Sequence, residues 1–183
     1  MNFEIRQILN QDAAALVDLY LAVSQNTRGI ARSEAEINVL YIQSILDGVA
    51  KGGQGFVVFH ENRLVGEIHA ISKDIRIFDH ILSSLTIGIH PDYQGKSLGN
   101  QLFSHFLTFV KNERTDIYRV ELESRASNVA GIKLYEKMGF IQEGRMKNQT
   151  RNADGSYEDG VMYAWFNPNY ANQYKVPKHN SSF

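Results

Sequence analysis

Between Leu85 and Asn100 the chain sets small residues, a cation and a proline in an order that suits a phosphorylated ligand. A β-rich run ends in Ile87-Gly88-Ile89 and is stopped at His90-Pro91, because proline cannot donate to a ladder. The loop Asp92-Tyr93-Gln94-Gly95-Lys96-Ser97 follows, and a helical pattern opens at once with Leu98-Gly99-Asn100. Strand, small-residue loop and helix N-terminus in that order aim several backbone N–H groups at one point, which favours phosphate or diphosphate. Gly95, Ser97 and Gly99 allow close approach to the backbone, and Lys96 adds a positive charge. Taken alone, the loop also reads as a plain strand-to-helix turn.

A second stretch lies about thirty residues further on, Asn128-Val129-Ala130-Gly131-Ile132-Lys133-Leu134-Tyr135-Glu136-Lys137-Met138-Gly139-Phe140. Tyr135 follows Asn128 by seven residues, two helical turns, so both fall on one helix face. Together the two stretches resemble motifs A and B of the GNAT superfamily of acyl-CoA-dependent N-acetyltransferases. Gln94 to Gly99 resembles the loop Gln/Arg-x-x-Gly-x-Gly/Ala, behind a His-Pro-x-Tyr lead-in, and Asn128 to Phe140 looks like the Asn…Tyr-x-x-x-Gly-Phe helix and strand start. The resemblance covers roughly Phe3 to Phe166. One position departs from it: Ser97 stands where the family usually has glycine, and serine disfavours positive φ.

The resemblance implies acetyl-CoA as co-substrate, with no metal, and an N-acetyltransferase acting on a primary amine of an amino acid, polyamine, other small molecule or protein N-terminus. Ile87, Gly88 and Ile89 would offer main-chain groups to the pantetheine arm, and N–H groups from Gly95, Lys96, Ser97, Leu98, Gly99 and Asn100 would hold the diphosphate. Asn128 would bond the pantetheine region, or cap the helix it opens, or both. Tyr135 would lie near the thioester and donate a proton to the departing thiolate, since a phenol keeps its proton at neutral pH; its bland alternative is packing. Direct attack by the amine in a ternary complex requires no covalent nucleophile. No carboxylate or histidine stands in Leu82-Ser83-Ser84-Leu85, where many relatives carry a general base. Glu67 and His69, on one strand face at i and i+2, are the nearest candidates, with Glu67 preferred; Glu121 or Glu123 would act through water. The alternative to an enzyme is a non-catalytic acyl-CoA-binding regulatory module, which Ser97 and the missing base would suit.

The elements that must position these residues are legible as periodicity. Phe3 to Ile8, Gln54 to His60, Leu64 to Ser72, Ile81 to Ile89 and Tyr118 to Glu123 read as strands, with Glu61-Asn62-Arg63 closing a hairpin. Asp12 is expected to cap a helix burying Leu16, Leu19, Tyr20 and Val23. Ser33 and Glu36 have capping-box spacing for a second helix, burying Ile37, Leu40, Tyr41 and Ile45 and ended by Gly48 and Gly52-Gly53. Leu98 to Arg114 and Asn128 to Met138 read as helices. Ile141 to Arg151 and Tyr157 to Phe166 flank Asn152-Ala153-Asp154-Gly155-Ser156 as a long hairpin. Arg145, Lys147, Gln149 and Arg151 alternate on it, a solvated face or a contact for an acidic substrate. Tyr157, Val161, Tyr163 and Trp165 exceed what one sheet face needs, which would suit a homodimer. Strands and helices alternate around one sheet, so the class is α/β (α+β). The resemblance makes that sheet mixed and mostly antiparallel, flanked by helices, as one domain over residues 1–166 with a polar tail over 167–183.

Composition narrows the function classes. With 183 residues, 43% of them hydrophobic, the chain can bury a core without staples. Nineteen basic against twenty acidic residues give no overall pull toward nucleic acid or anionic lipid. The absence of cysteine excludes disulfides, a thiol nucleophile and cysteine-built zinc sites. The start Met1-Asn2-Phe3-Glu4-Ile5-Arg6 has no apolar signal-peptide region, and no apolar run is long enough to span a bilayer. The expectation is an intracellular, cytoplasmic protein.

Overall fold

The structure, a computed structural model, describes residues 2–25, 30, 32–152 and 154–171. In chain order run β1 (Glu4–Gln7), α1 (Ala13–Ser24), α2 (Val39–Ala50), β2 (Gln54–His60), β3 (Arg63–Ser72), β4 (Ile81–Ile89), α3 (Leu98–Glu113), β5 (Arg119–Arg125), α4 (Val129–Lys137), β6 (Ile141–Arg151) and β7 (Tyr157–Phe166). The strands form one sheet in the order β1-β2-β3-β4-β5-β7-β6. Every neighbouring pair is antiparallel except β4–β5, which needs α3 as its crossover.

Strand alternation divides the core. Phe56 and Val58 join a cluster with Leu98, Leu102, Phe103, Phe106 and Val110 of α3, whereas Val57 packs with Leu16, Leu19, Tyr20, Ile42 and Ile45 of α1 and α2. The sheet is therefore covered on both faces, α1 and α2 on one and α3 on the other. Full burial of each such side chain stabilises the fold by about 1.5–3 kcal/mol. The β2–β3 hairpin turns through Glu61 and Asn62, both at positive φ (48° and 64°), as a two-residue turn of the twist-matching kind.

Several boundary readings shift. Asp12 caps nothing with its side chain at α1; it accepts from Leu9 N–H at 2.8 Å and is clamped by Arg6. The Ser33–Glu36 capping box forms, but on a short 3-10 turn, and Asn38 caps α2. The buried stripe of α2 is consequently Ile42, Ile45 and Leu46, while Leu40 is 81% exposed. Gly48 lies inside α2 instead of ending it. Val161 and Tyr163 belong to the core, which withdraws two of the four residues that motivated a dimer. Arg145 and Lys147 converge on Asp159 of β7 at 2.7 and 3.0 Å, so this stretch is largely neutralised from within. At the start of the tail Asn167 is buried and its Nδ2 reaches the carbonyls of Val110, Arg114 and Ile117. The rest of the tail, from residue 172, and Ala153 of the last hairpin turn lie outside the described residues. No helix among the described residues is long and apolar enough to cross a membrane.

Candidate active site

The parallel pair β4–β5 opens the sheet. Its partners are Ile81 with Arg119 and Leu82 with Val120 only; beyond them the strands diverge. On its other edge β4 is irregular: His69 pairs with Thr86 and Ile71 with Ser83, so Ser84 and Leu85 bulge opposite Ala70, with Ser84 at φ 56°. Two cavities follow one another along β4. Ile87 and Ile89 line one; Ser83, Ser84, Leu85 and Thr86, just before them on the same strand, line the other.

The first cavity, about 590 Å³, gathers Ile87, Ile89, Gly95, Ser97, Leu98, Gly99, Asn100, Asn128 and Tyr135, nine of the expected cofactor-binding residues. Two stand apart from its lining. Both adjoin it through residues that do line it: a Cβ on Gly88 would point at Val23 of α1, and the Lys96 ammonium sits over the Tyr93 ring, 5.2 Å from its centroid. The Ile89 carbonyl is met by the Gln94 amide at 2.9 Å, which fastens the loop to the strand end. Gly95 takes φ +74° with open space around its missing side chain. Ser97, the N-cap of α3, takes φ 61° and ψ 7° and makes no side-chain capping bond. The position therefore does adopt the left-handed conformation that glycine would enter without strain.

Asn128 caps α4, accepting from Gly131 N–H at 3.1 Å and donating to Ser124 Oγ at 3.1 Å. A Cβ at Gly131 would overlap the Asn128 amide, so the cap needs glycine there. The Tyr135 phenol lies among Phe103, Phe140 and Tyr163, with hydrogen bonds to Ser124 and Asn128. Burial pushes the phenol above its ordinary pKa, and those two bonds only partly oppose this, so its proton stays on at neutral pH. Ser124 escaped the sequence reading, because its role depends on β5 facing α4.

The second cavity, about 460 Å³, is lined by Ile30, Arg32 and Tyr41 from the α1–α2 side, Lys73, the β4 bulge, and Glu121 and Glu123 of β5. Glu121 is held below the usual carboxylate range: burial alone would raise it, but Lys73 at 2.7 Å and Arg119 at 2.8 Å more than offset that. Glu123 accepts from Gln149 at 3.0 Å and has no cation partner among the described residues. Glu67 is fully buried and lines neither cavity. Its carboxylate accepts from the Tyr20 hydroxyl at 2.7 Å and faces His69 Nδ1 at 2.9 Å, which fastens α1 to β3. The described residues contain no cluster of three or more His, Asp or Glu that could hold a metal ion.

Comparison with known proteins follows the same outline. The model of the acetyltransferase (GNAT) family matches residues 14–140. The [ribosomal protein bS18]-alanine N-acetyltransferase of Escherichia coli (strain K12) is 37% identical over 78 residues, 43% of this chain and 51% of that relative. The chain thus spans about half the length of this relative. The L-amino acid N-acyltransferase MnaT of Escherichia coli is 25% identical over 147 residues, 78% of this chain and 81% of its own. Among solved structures, yncA, a putative acetyltransferase from Salmonella typhimurium with its cofactor acetyl-CoA, superposes with a TM-score of 0.78 at 19% identity, covering 91% of this chain and 94% of that one. An acetyltransferase of the GNAT family from Streptococcus pneumoniae gives 0.75 at 22% identity, covering 90% and 99%. At these identities the structural likeness concerns the fold.

Proposed function

Because the chain belongs to the acetyltransferase (GNAT) family, we propose that residues 1–166 form one enzyme that transfers an acetyl group from acetyl-CoA to a primary amine. The observation that carries this reading is the pair of cavities in series along β4, the first bounded by a small-residue loop and a helix N-terminus. Acetyl-CoA would supply the activated acetyl thioester. The residues present fit it: Ile87 and Ile89 offer an apolar strand edge, and the loop from Gly95 to Asn100 offers main-chain N–H groups at the start of α3. No carboxylate intrudes on that cavity.

The chain's own groups then divide the work. Tyr135 holds a proton for the departing thiolate, positioned by Ser124 and Asn128. The acceptor amine enters the second cavity, where Glu123, which has no cation partner among the described residues, takes up its proton, directly or through water. We place the base there instead of at Glu67, which reaches that cavity only through Tyr20 and its edge-on contact with Tyr41. Glu123 and Ser124 are consecutive on β5: the carboxylate lines the acceptor cavity, and the hydroxyl accepts from Asn128, which lines the first. Arg32 and Lys73 are matched in number by Glu121 and Glu123 in the acceptor cavity, with Lys73 paired to Glu121, so its lining carries no net charge that would select among amino acids, peptide N-termini and polyamines.

A turnover assay reading free CoA thiol, run with amino acids, N-terminal peptides and polyamines, tests the proposal. Amine-dependent thiol release supports it. Tight binding of acetyl-CoA without release for any amine would replace it by a cofactor-sensing module.

A further inference from the structure

The first cavity carries charge of one sign. Among its lining residues are two lysines, Lys133 and Lys137, and no aspartate or glutamate. The lysines stand at i and i+4 on α4, so they share one helix face, turned toward the loop and the first turn of α3. Lys133 forms no ion pair among the described residues, and the Lys137 ammonium meets only the neutral Asn100 side-chain oxygen, at 3.3 Å. The other cation of this neighbourhood, Lys96, is set over Tyr93 and outside the lining. Two exposed cations at i and i+4, without counter-charges among the described residues, repel one another mildly, and an anion bound at this side of the cavity would relieve that.

We propose that Lys133 and Lys137 form a subsite for the 3′-phosphate of CoA and make the enzyme discriminate CoA from dephospho-CoA. The inference rests on the acetyl-CoA reading above. The diphosphate finds its donors in the N–H groups of the loop and the positive end of α3, whose first turn carries no opposing acid. The phosphomonoester has no such cradle, carries between one and two negative charges near neutral pH, and is matched by two ammonium groups. Point charges on long stems suit it, because a terminal phosphate can be met from several directions.

Calorimetric titration of the full chain with CoA and with dephospho-CoA tests this without turnover. The wild type should bind CoA on the order of tenfold or more tightly than dephospho-CoA, a preference that shrinks at high salt. In Lys133→Gln/Lys137→Gln the two affinities should become equal, through loss of CoA affinity alone. A preference that survives the double substitution overturns the proposal. So does an equal weakening of both ligands, which would assign the lysines to the diphosphate. Failure of the wild type to bind either ligand would instead remove the donor reading itself.

Discussion

At the residue scale the proposed reaction turns on one phenol. Tyr135 is packed against Phe103, Phe140 and Tyr163 and shares hydrogen bonds with Ser124 and Asn128. Tyr135→Phe keeps the ring and removes the O–H. If the phenol donates to the leaving thiolate, kcat should fall by about 10²-fold or more. The Kd for acetyl-CoA should hardly change, because only the transition state gains from the proton. An equal loss of rate and affinity would make the tyrosine a positioning residue, and full activity would hand the proton to water. Asn128 and Tyr135 were singled out by the resemblance of their stretch to the family's second motif, and their spacing of two helical turns agrees with a shared face. Glu123 and Ser124 were harder to rank, since a strand's two faces acquire meaning only once its neighbours are known. For Glu67 the spacing from His69 left the face undecided, and both side chains are turned into the α1 side of the sheet.

At the element scale, most of the positioning is done by the β4–loop–α3 unit, and its weakest point is Ser97. A residue with a Cβ pays roughly 1–2 kcal/mol to sit in the left-handed region. The serine side chain returns nothing to the helix, since it makes no capping bond. Ser97→Gly should therefore raise stability by up to about 1 kcal/mol, the larger freedom of glycine in the unfolded chain offsetting part of the gain. A higher denaturant midpoint at unchanged slope would register this, and a lowered midpoint would sink it. CoA affinity should rise modestly if the loop is thereby better pre-organised. Strands and helices with clear period were readable to within a residue or two. The misses have one physical source, namely that local caps compete: the Ser33–Glu36 box spends itself on a 3-10 turn, Asn38 restarts the helix, and Leu40 rotates outward. The bulge at Ser84 and the short β4–β5 pairing leave no local mark, because both are properties of strand pairs.

At the scale of the whole molecule, the pH response reports how the elements are locked together. His90, at the end of β4, is nearly buried; burial, and then the nearby Arg63 of β3, hold its imidazole below the usual value, against the weaker pull of Asp92. Burial lowers His105 of α3 as well, beside the Phe56 ring of β2. Both therefore titrate lower in the fold than in the open chain, so folding favours their neutral forms. Their contribution is whole above the ordinary imidazole value of about 6.5 and is lost as pH falls toward their folded values. Asp12 acts in a lower window: burial would raise it, but Arg6 and the Leu9 N–H hold it down, and Lys73 and Arg119 do the same for Glu121. Those contributions are present above the ordinary carboxylate values near 4 and vanish below them. Stability measured by denaturant should thus be level between about pH 7 and 8, decline in a first limb below about 6.5, and decline again below about 4. His90→Gln, which cannot take up the proton, should make the first limb shallower, leaving the part that His105 contributes, and leave the second unchanged. A first limb unchanged in that variant would show that His90 is not what couples protonation to unfolding.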